Sequence, residues 1–111
     1  MDVMDQIKQT VEQNPIVLFM KGTPQMPQCG FSMRVSKALK ACDVTFAHVD
    51  VLAEPEVRQN LPRLSNWPTF PQVFIDGALI GGCDIVLELF QKGELQKMAK
   101  AAGAKANETE A

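Results

Sequence analysis

Hydrophobic and polar positions along the chain fall into short blocks, and the first block has helical spacing. Val3, Ile7 and Val11 lie on one stripe of a helix from Asp2 to Gln13, with polar residues between them. Pro15 ends this helix, because the residue before a proline is biased away from helical dihedral angles. The pattern therefore predicts an amphipathic helix at the start of the chain.

A continuous apolar run follows this helix. Residues Ile16 to Met20 are all apolar, and a run of five is too short for a helix, so it predicts a central strand buried on both faces. The next segment, Lys21 to Gln28, contains one glycine and two prolines among mostly polar residues. That composition predicts an irregular loop.

Helical spacing returns at Cys29. The apolar residues of this second helix are Phe31, Val35, Ala38, Leu39 and Cys42. Residues Val44 to Val51 are rich in β-branched side chains and predict a second strand. A short third helix is predicted from Glu56 to Leu64, with Pro55 at its first turn.

The last third of the chain begins with a hairpin. Two apolar runs, at 72–75 and 78–80, flank Asp76-Gly77, a preferred two-residue turn. After Gly81-Gly82, the pair Cys83-Asp84 can cap a helix running to about Gln91. A final helix is predicted over 94–101, and residues 102–111 form a small, polar tail that is expected to be frayed.

The predicted order of elements is α-β-α-β-α-β-β-α-α. A β-α-β crossover makes its two strands parallel, and the hairpin adds at least one antiparallel strand. This order predicts an α/β fold with a mixed sheet and helices on both of its faces. A chain of 111 residues with 46% hydrophobic residues is suited to one such domain.

Charge and cysteine content narrow the function further. A net charge of -2 argues against non-specific nucleic-acid binding, which needs a dense basic surface. No apolar run approaches the ~20 residues of a membrane span, and the first residues lack the layout of a secretory signal. Three widely spaced cysteines form no disulfide framework, so we expect a reducing, cytoplasmic location.

Cys29 is the main candidate for chemistry. It lies where the loop after the first buried strand meets the second helix. Backbone N–H groups at a helix start stabilise an anion, so a cysteine there tends toward the thiolate, and Lys21 adds a nearby positive charge. The alternative is a small apolar core residue, which the flanking Gln28 and Gly30 disfavour.

Ser32 stands where a C-x-x-C pair would place its second thiol. A hydroxyl cannot form a disulfide, so Cys29 has no local partner for a two-cysteine redox cycle. Such a thiolate can carry a mixed disulfide with a small thiol or ligate a soft metal.

Four short motifs of this chain together resemble those of a known protein family. Cys29-Gly30-Phe31-Ser32 resembles the signature of the monothiol (CGFS-type) glutaredoxins, in particular the short, single-domain bacterial type. The other three motifs, in order, are Lys21-Gly22-Thr23-Pro24, Trp67-Pro68-Thr69-Phe70-Pro71-Gln72 and Gly81-Gly82-Cys83-Asp84. The resemblance implies a thioredoxin-like (glutaredoxin) fold with a four-stranded mixed sheet over residues 1–101, and the polar composition of residues 102–111 predicts a flexible tail after it.

The resemblance also implies a glutathione site. Cys29 would be the reactive residue, and the Phe70–Pro71 peptide bond would be cis, which turns the Phe70 backbone toward the site. Gly82, Cys83 and Asp84 would hold the γ-glutamyl end of glutathione, although a plain helix cap is the simpler interpretation. Lys21 and Arg58 would bind its glycine carboxylate, and without the family Arg58 would pass for a solvated helix residue.

Resemblance further implies that Cys29 and the thiol of bound glutathione ligate a 2Fe-2S cluster. Such a cluster takes four sulfur ligands, so two chains and two glutathiones would form a homodimer around it. The leading hypothesis is an iron–sulfur carrier that serves acceptor apo-proteins and can pair with a BolA-like protein. The alternatives are a glutathione-dependent thiol–disulfide oxidoreductase and a redox-sensing module without a cluster.

The remaining candidate residues receive smaller roles. Cys42 falls on the apolar stripe of the second helix and is expected to be inert core. Cys83 is either a turn residue at the glutathione site or a distant resolving thiol for Cys29. His48 receives no role. The spacing of the three cysteines and this histidine matches no known zinc-site pattern.

Overall fold

The computed structural model describes residues 2–103 of the chain. Within this range five helices and four strands follow the predicted order. They are α1 (Val3–Gln13), β1 (Ile16–Met20), α2 (Gly30–Ala41), β2 (Ala47–Asp50), α3 (Pro55–Ser65), β3 (Gln72–Ile75), β4 (Ala78–Gly81), α4 (Cys83–Gln91) and α5 (Glu94–Ala101). The tail predicted over 102–111 lies outside the described residues from position 104 onward.

The four strands form one mixed sheet in the order β2-β1-β3-β4. β1 runs parallel to β2, with Val17 opposite Ala47, and antiparallel to β3, with Leu18 opposite Val73. β4 pairs with β3 as the second arm of the hairpin. The prediction of a mixed sheet with a central, fully buried β1 is confirmed.

Two cores cover the two faces of this sheet. Alternate residues of β1 point to opposite faces, so Leu18 packs with α2, α4 and α5, whereas Phe19 packs with α1 and α3. The Phe19 ring meets the Phe74 ring edge to face at 5.5 Å between centroids. Both faces are therefore covered by helices, as the element order predicts.

The second strand is shorter than its sequence predicts. Pairing with β1 begins at Ala47 and not at Val44. Asp43 has a positive φ of 59° as the chain leaves α2, and the residues before Ala47 lie outside the ladder. Among the described strands the edge strand β2 pairs only with β1, and their ladder uses four of the five β1 residues, Val17 to Met20.

The segment from Lys21 to Gln28 is a loop without helix or strand, as its composition predicts, and hydrogen bonds close it into a turn. Thr23 and Met26 exchange backbone hydrogen bonds of 3.2 and 3.0 Å, and the N–H of Gln28 donates to the carbonyl of Lys21 at 2.9 Å. The Gly22 N–H donates to the Asp50 carboxylate at 2.9 Å. The turn is thereby anchored to the end of β2.

No helix among residues 2–103 is long and apolar enough to cross a membrane. α5 packs against α4, and its residues Leu95 and Ala99 are buried in the same core as Leu18.

Candidate functional site

A groove of about 780 Å³ lies at the end of the sheet where α2 and α4 begin. Every site residue that the sequence singled out lines this groove. These residues are Lys21, Cys29, Arg58, Phe70, Pro71, Gly82, Cys83 and Asp84. They come from four segments that are far apart in the chain, and the fold brings them together.

Cys29 is the N-cap residue of α2, and its carbonyl accepts the N–H of Met33 at 2.9 Å. The backbone N–H of Ser32 is the main reason that the pKa of the Cys29 thiol lies below its ordinary value of 9.0. Partial burial opposes this, while the Phe31 N–H, the Ser32 hydroxyl and the charge of Lys21 lower the pKa further. The predicted tendency toward thiolate therefore has a structural cause at the start of the helix.

Ser32 is fully buried between the turn and the thiol. Its hydroxyl oxygen accepts the backbone N–H of Lys21 at 3.1 Å. The sequence identified this residue only as a missing thiol. In the structure it connects the turn that carries Lys21 to the helix that carries Cys29.

The segment before β3 forms a second wall of the groove. The Phe70–Pro71 peptide bond is cis, as the resemblance implies. The buried amide of Gln72 donates to the carbonyls of Trp67 and Thr69, at 2.9 and 3.2 Å. Gln72 thus holds the segment that presents Phe70 to the groove.

The third wall is the start of α4. Gly82 is its N-cap, so the predicted cap at Cys83-Asp84 is wrong by one residue. A Cβ atom at Gly82 would lie 3.0 Å from Trp67 Nε1 and 3.2 Å from the Pro71 carbonyl oxygen. Close contact with this neighbouring wall leaves little room for a side chain at the cap.

Cys83 and Asp84 occupy the first turn of α4 and face the groove. Burial raises the pKa of the Cys83 thiol, and the neighbouring Asp84 carboxylate raises it further. The groove therefore contains one thiol whose pKa is lowered, Cys29, and one whose pKa is raised, Cys83. Lys21 and Arg58 add two cationic side chains to the one carboxylate of Asp84.

The chain matches the pattern of the glutaredoxin family over residues 16–80, which is more than half of its length. The chain belongs to the glutaredoxin family. Glutaredoxin 4 of Haemophilus ducreyi is 52% identical to it over 105 residues, which cover 95% of this chain and 98% of that protein. Glutaredoxin 4 of Escherichia coli strain K12 is 51% identical over 102 residues, which cover 92% of this chain and 89% of that protein.

Solved structures share the fold of this glutaredoxin. A buckwheat glutaredoxin–glutathione complex superposes with a TM-score of 0.82 at 31% identity, covering 93% of this chain and 92% of that one. A monomeric truncated mutant of Trypanosoma brucei 1-C-Grx1 gives a TM-score of 0.85 at 36% identity, and the match covers 97% of this chain and 98% of that one. The thioredoxin-like glutaredoxin fold predicted from the sequence is confirmed.

Sequence reasoning missed part of the groove of this glutaredoxin. The additional lining residues are mainly apolar: Phe31, Pro62, Trp67, Pro68, Thr69 and Ile85. Three of them belong to the Trp67-to-Gln72 motif, so the motif itself was the available signal. Pro62 and Ile85 lie inside helices and carry no local signal of the groove.

Two further candidates from the sequence, Cys42 and His48, do not line the groove. Cys42 is buried in the core at the end of α2, as predicted, and burial raises the pKa of its thiol. His48 is on the edge strand β2 and is exposed. Among residues 2–103, no group of three or more His, Cys, Asp or Glu side chains could hold a metal ion.

Proposed function

We propose that this glutaredoxin is a monothiol protein that binds glutathione in the groove and carries a 2Fe-2S cluster to acceptor proteins. The observation that carries this proposal is the pairing of Cys29 with Ser32. The thiol is stabilised as a thiolate by hydrogen bonds from a serine, and not by a second thiol that would close a disulfide.

The charges of the groove suit glutathione. This tripeptide has a carboxylate at its glycine end and an ammonium with a carboxylate at its γ-glutamyl end. Lys21 and Arg58 can pair with the glycine carboxylate, while Asp84 and the N-terminus of α4 suit the γ-glutamyl end. The groove then brings the thiol of glutathione beside Cys29. The glutathione complex of the buckwheat protein supports this assignment.

The cluster is cargo, and the ligand count explains how it would be held. Four sulfur ligands are needed, and soft thiolates suit iron–sulfur clusters. Cys42 is buried and Cys83 favours the protonated thiol, so each chain offers Cys29 as its ligand. Two chains with two glutathiones complete the set in a homodimer, and a BolA-like protein could replace one copy. Glutathione exchanges freely, which eases release of the cluster to an acceptor.

A second candidate function is glutathione-dependent reduction of mixed disulfides, which the lowered pKa of Cys29 favours. The Cys29 thiolate would attack the glutathione sulfur of a glutathionylated protein, and the protein thiolate would leave. A second glutathione would then attack the Cys29–glutathione disulfide, releasing oxidised glutathione and the Cys29 thiolate.

Anaerobic reconstitution with iron, sulfide and glutathione tests the proposal. We expect a coloured dimer, detected by visible absorption and by size, that loses its colour when glutathione is removed. Cys29→Ser should abolish the colour, whereas the buried Cys42→Ser should retain it. A colourless monomer with rapid turnover of glutathionylated substrates would overturn the carrier function and favour the reductase.

A further inference from the structure

Basic residues are concentrated in the part of the chain that carries Cys29. Between Glu12 and Asp43 there is no acidic residue. Four of the 11 basic residues fall there, namely Lys21, Arg34, Lys37 and Lys40. The other seven basic residues share the rest of the chain with all 13 acidic residues. The turn and the helix around the thiol are therefore cationic in a protein that is acidic overall.

Three of these basic residues share one face of α2. Arg34, Lys37 and Lys40 are exposed and follow one another at intervals of three, which places them on one side of a helix. Met33 is also exposed on this side, whereas Val35 and Leu39 on the opposite side are buried in the core. No acidic residue of α2 neutralises this charge.

The turn before Cys29 extends this surface with an apolar side chain. Met26 is 68% exposed, the most exposed of the large hydrophobic residues in the described part of the chain. The Lys40 ammonium donates to the Pro24 carbonyl at 2.9 Å, which joins the turn to α2. We call the surface formed by Met26, Met33, Arg34, Lys37 and Lys40 the cationic face.

Binding of glutathione does not explain this face. None of its five residues lines the groove. With a rise of 1.5 Å per residue, Lys37 and Lys40 lie roughly 10 and 15 Å along the axis of α2 from Gly30. Both lysines lie beyond the reach of a tripeptide held at the start of the helix. A ligand that contacts the whole face must therefore be larger, as a protein surface is.

We propose that the cationic face docks an acidic, partly apolar surface of a protein partner whose reacting group reaches Cys29. Opposite charge favours such a partner and steers its approach, and the exposed methionines supply adaptable apolar contacts. A second copy of this chain docked face to face would present the same positive charge and be repelled, so the proposed occupant of this face is a different protein. The inference goes beyond the proposed function and does not depend on a cluster.

Activated peptides test the docking surface without cluster or glutathione. Each twelve-residue peptide carries an N-terminal cysteine as a mixed disulfide with thionitrobenzoate. The Cys29 thiolate attacks the peptide sulfur, a Cys29–peptide disulfide forms, and thionitrobenzoate leaves as a coloured thiolate with the bonding electron pair. All proteins carry Cys83→Ser, so that Cys29 is the reactive thiol of the groove.

The peptides differ at positions 4 to 6, which an extended chain places about 10–20 Å from the cysteine, level with Lys37 and Lys40. We expect a Glu-bearing peptide to react about tenfold faster than a Lys-bearing one at about 0.01 M salt, and equally fast at about 1 M. A Glu peptide with added leucines should react faster than one with serines.

Charge reversal locates the effect. Arg34→Glu with Lys37→Glu should abolish the preference for the acidic peptide. The matched control, Lys8→Glu with Arg63→Glu, makes the same change of charge on exposed positions of α1 and α3, across the sheet, and should retain it. Equal preference in both double variants would overturn the proposal. An oligothymidylate that competes as well as the unactivated leucine-bearing acidic peptide would also overturn it, because the face would then bind any polyanion.

Discussion

The hydroxyl oxygen of Ser32 accepts the backbone N–H of Lys21 at 3.1 Å, across eleven positions of sequence. The same serine donates its own backbone N–H and its hydroxyl to the Cys29 sulfur. One buried residue therefore holds the start of the turn through its side chain and stabilises the thiolate through both its backbone N–H and its hydroxyl. This connection makes the geometry of Lys21 depend on the residue that stands in place of a second cysteine.

Ser32→Ala is expected to raise the pKa of Cys29 modestly, because the hydroxyl is lost while the backbone N–H remains. The unpaired Lys21 N–H should lower the free energy of unfolding by about 1 kcal/mol. Thiolate absorbance against pH and urea denaturation measure the two effects. Ser36→Ala is the matched control, since its buried hydroxyl donates within α2 to the Met33 carbonyl and should leave the pKa unchanged.

Alkylation with iodoacetamide should modify Cys29 at lower pH than Cys83. The pKa of Cys29 is lowered by the N–H groups of α2, whereas burial and Asp84 raise that of Cys83. Mass spectrometry of protein quenched across a pH series separates the two sites. Modification of Cys83 first, or of both together, would contradict the assigned environments.

The lowered pKa of Cys29 also predicts how stability depends on pH. The folded state binds the thiol proton less tightly than an unfolded thiol with a pKa near 9.0. The stabilisation therefore grows as pH rises from the folded pKa to 9.0 and is lost as pH falls through the folded pKa. The difference in free energy of unfolding between the wild type and Cys29→Ser, measured in urea, should increase over that window. If this difference in the free energy of unfolding stayed constant with pH, the lowered pKa of Cys29 would be refuted.

Gly82→Ala is expected to weaken glutathione binding about tenfold. The added methyl would lie 3.0 Å from Trp67 Nε1 and 3.2 Å from the Pro71 carbonyl, so one wall of the groove must shift. Titration calorimetry gives the affinity. Gly30→Ala is the control, because a methyl group there meets no atom within 4 Å and binding should change little.

Arg58→Met should weaken glutathione binding by about tenfold or more, because a charge-assisted hydrogen bond contributes about 1.5–3 kcal/mol. The effect should diminish at high salt. Arg63→Met removes an exposed charge from the same helix outside the groove and should bind as the wild type does. Equal affinity in both variants would remove Arg58 from the glutathione site.

Several elements could be predicted because their signals are local. The apolar run of β1 and the Asp76-Gly77 turn each specify their structure within a few residues, and both are found where predicted. The start of β2 is different, because an edge strand ends where its partner stops pairing. The turn from Lys21 to Gln28 also differs, since the Asp50 carboxylate that holds Gly22 lies 28 residues away.

By itself, the sequence determined the order of elements and the position of Cys29 at a helix start, and together with the family resemblance it indicated eight of the fourteen residues that line the groove. These features could be predicted because hydrophobic periodicity, turn preferences and motifs each depend on residues that are close together in the sequence. The tertiary structure alone decided that Ser32 joins Lys21 to the thiol, and that Pro62 and Ile85 complete the groove. It also decided that Phe31, which the apolar stripe of α2 places with the buried residues, is exposed and lines the groove. These features depend on contacts between distant segments, which become defined only when the chain packs on both faces of its sheet.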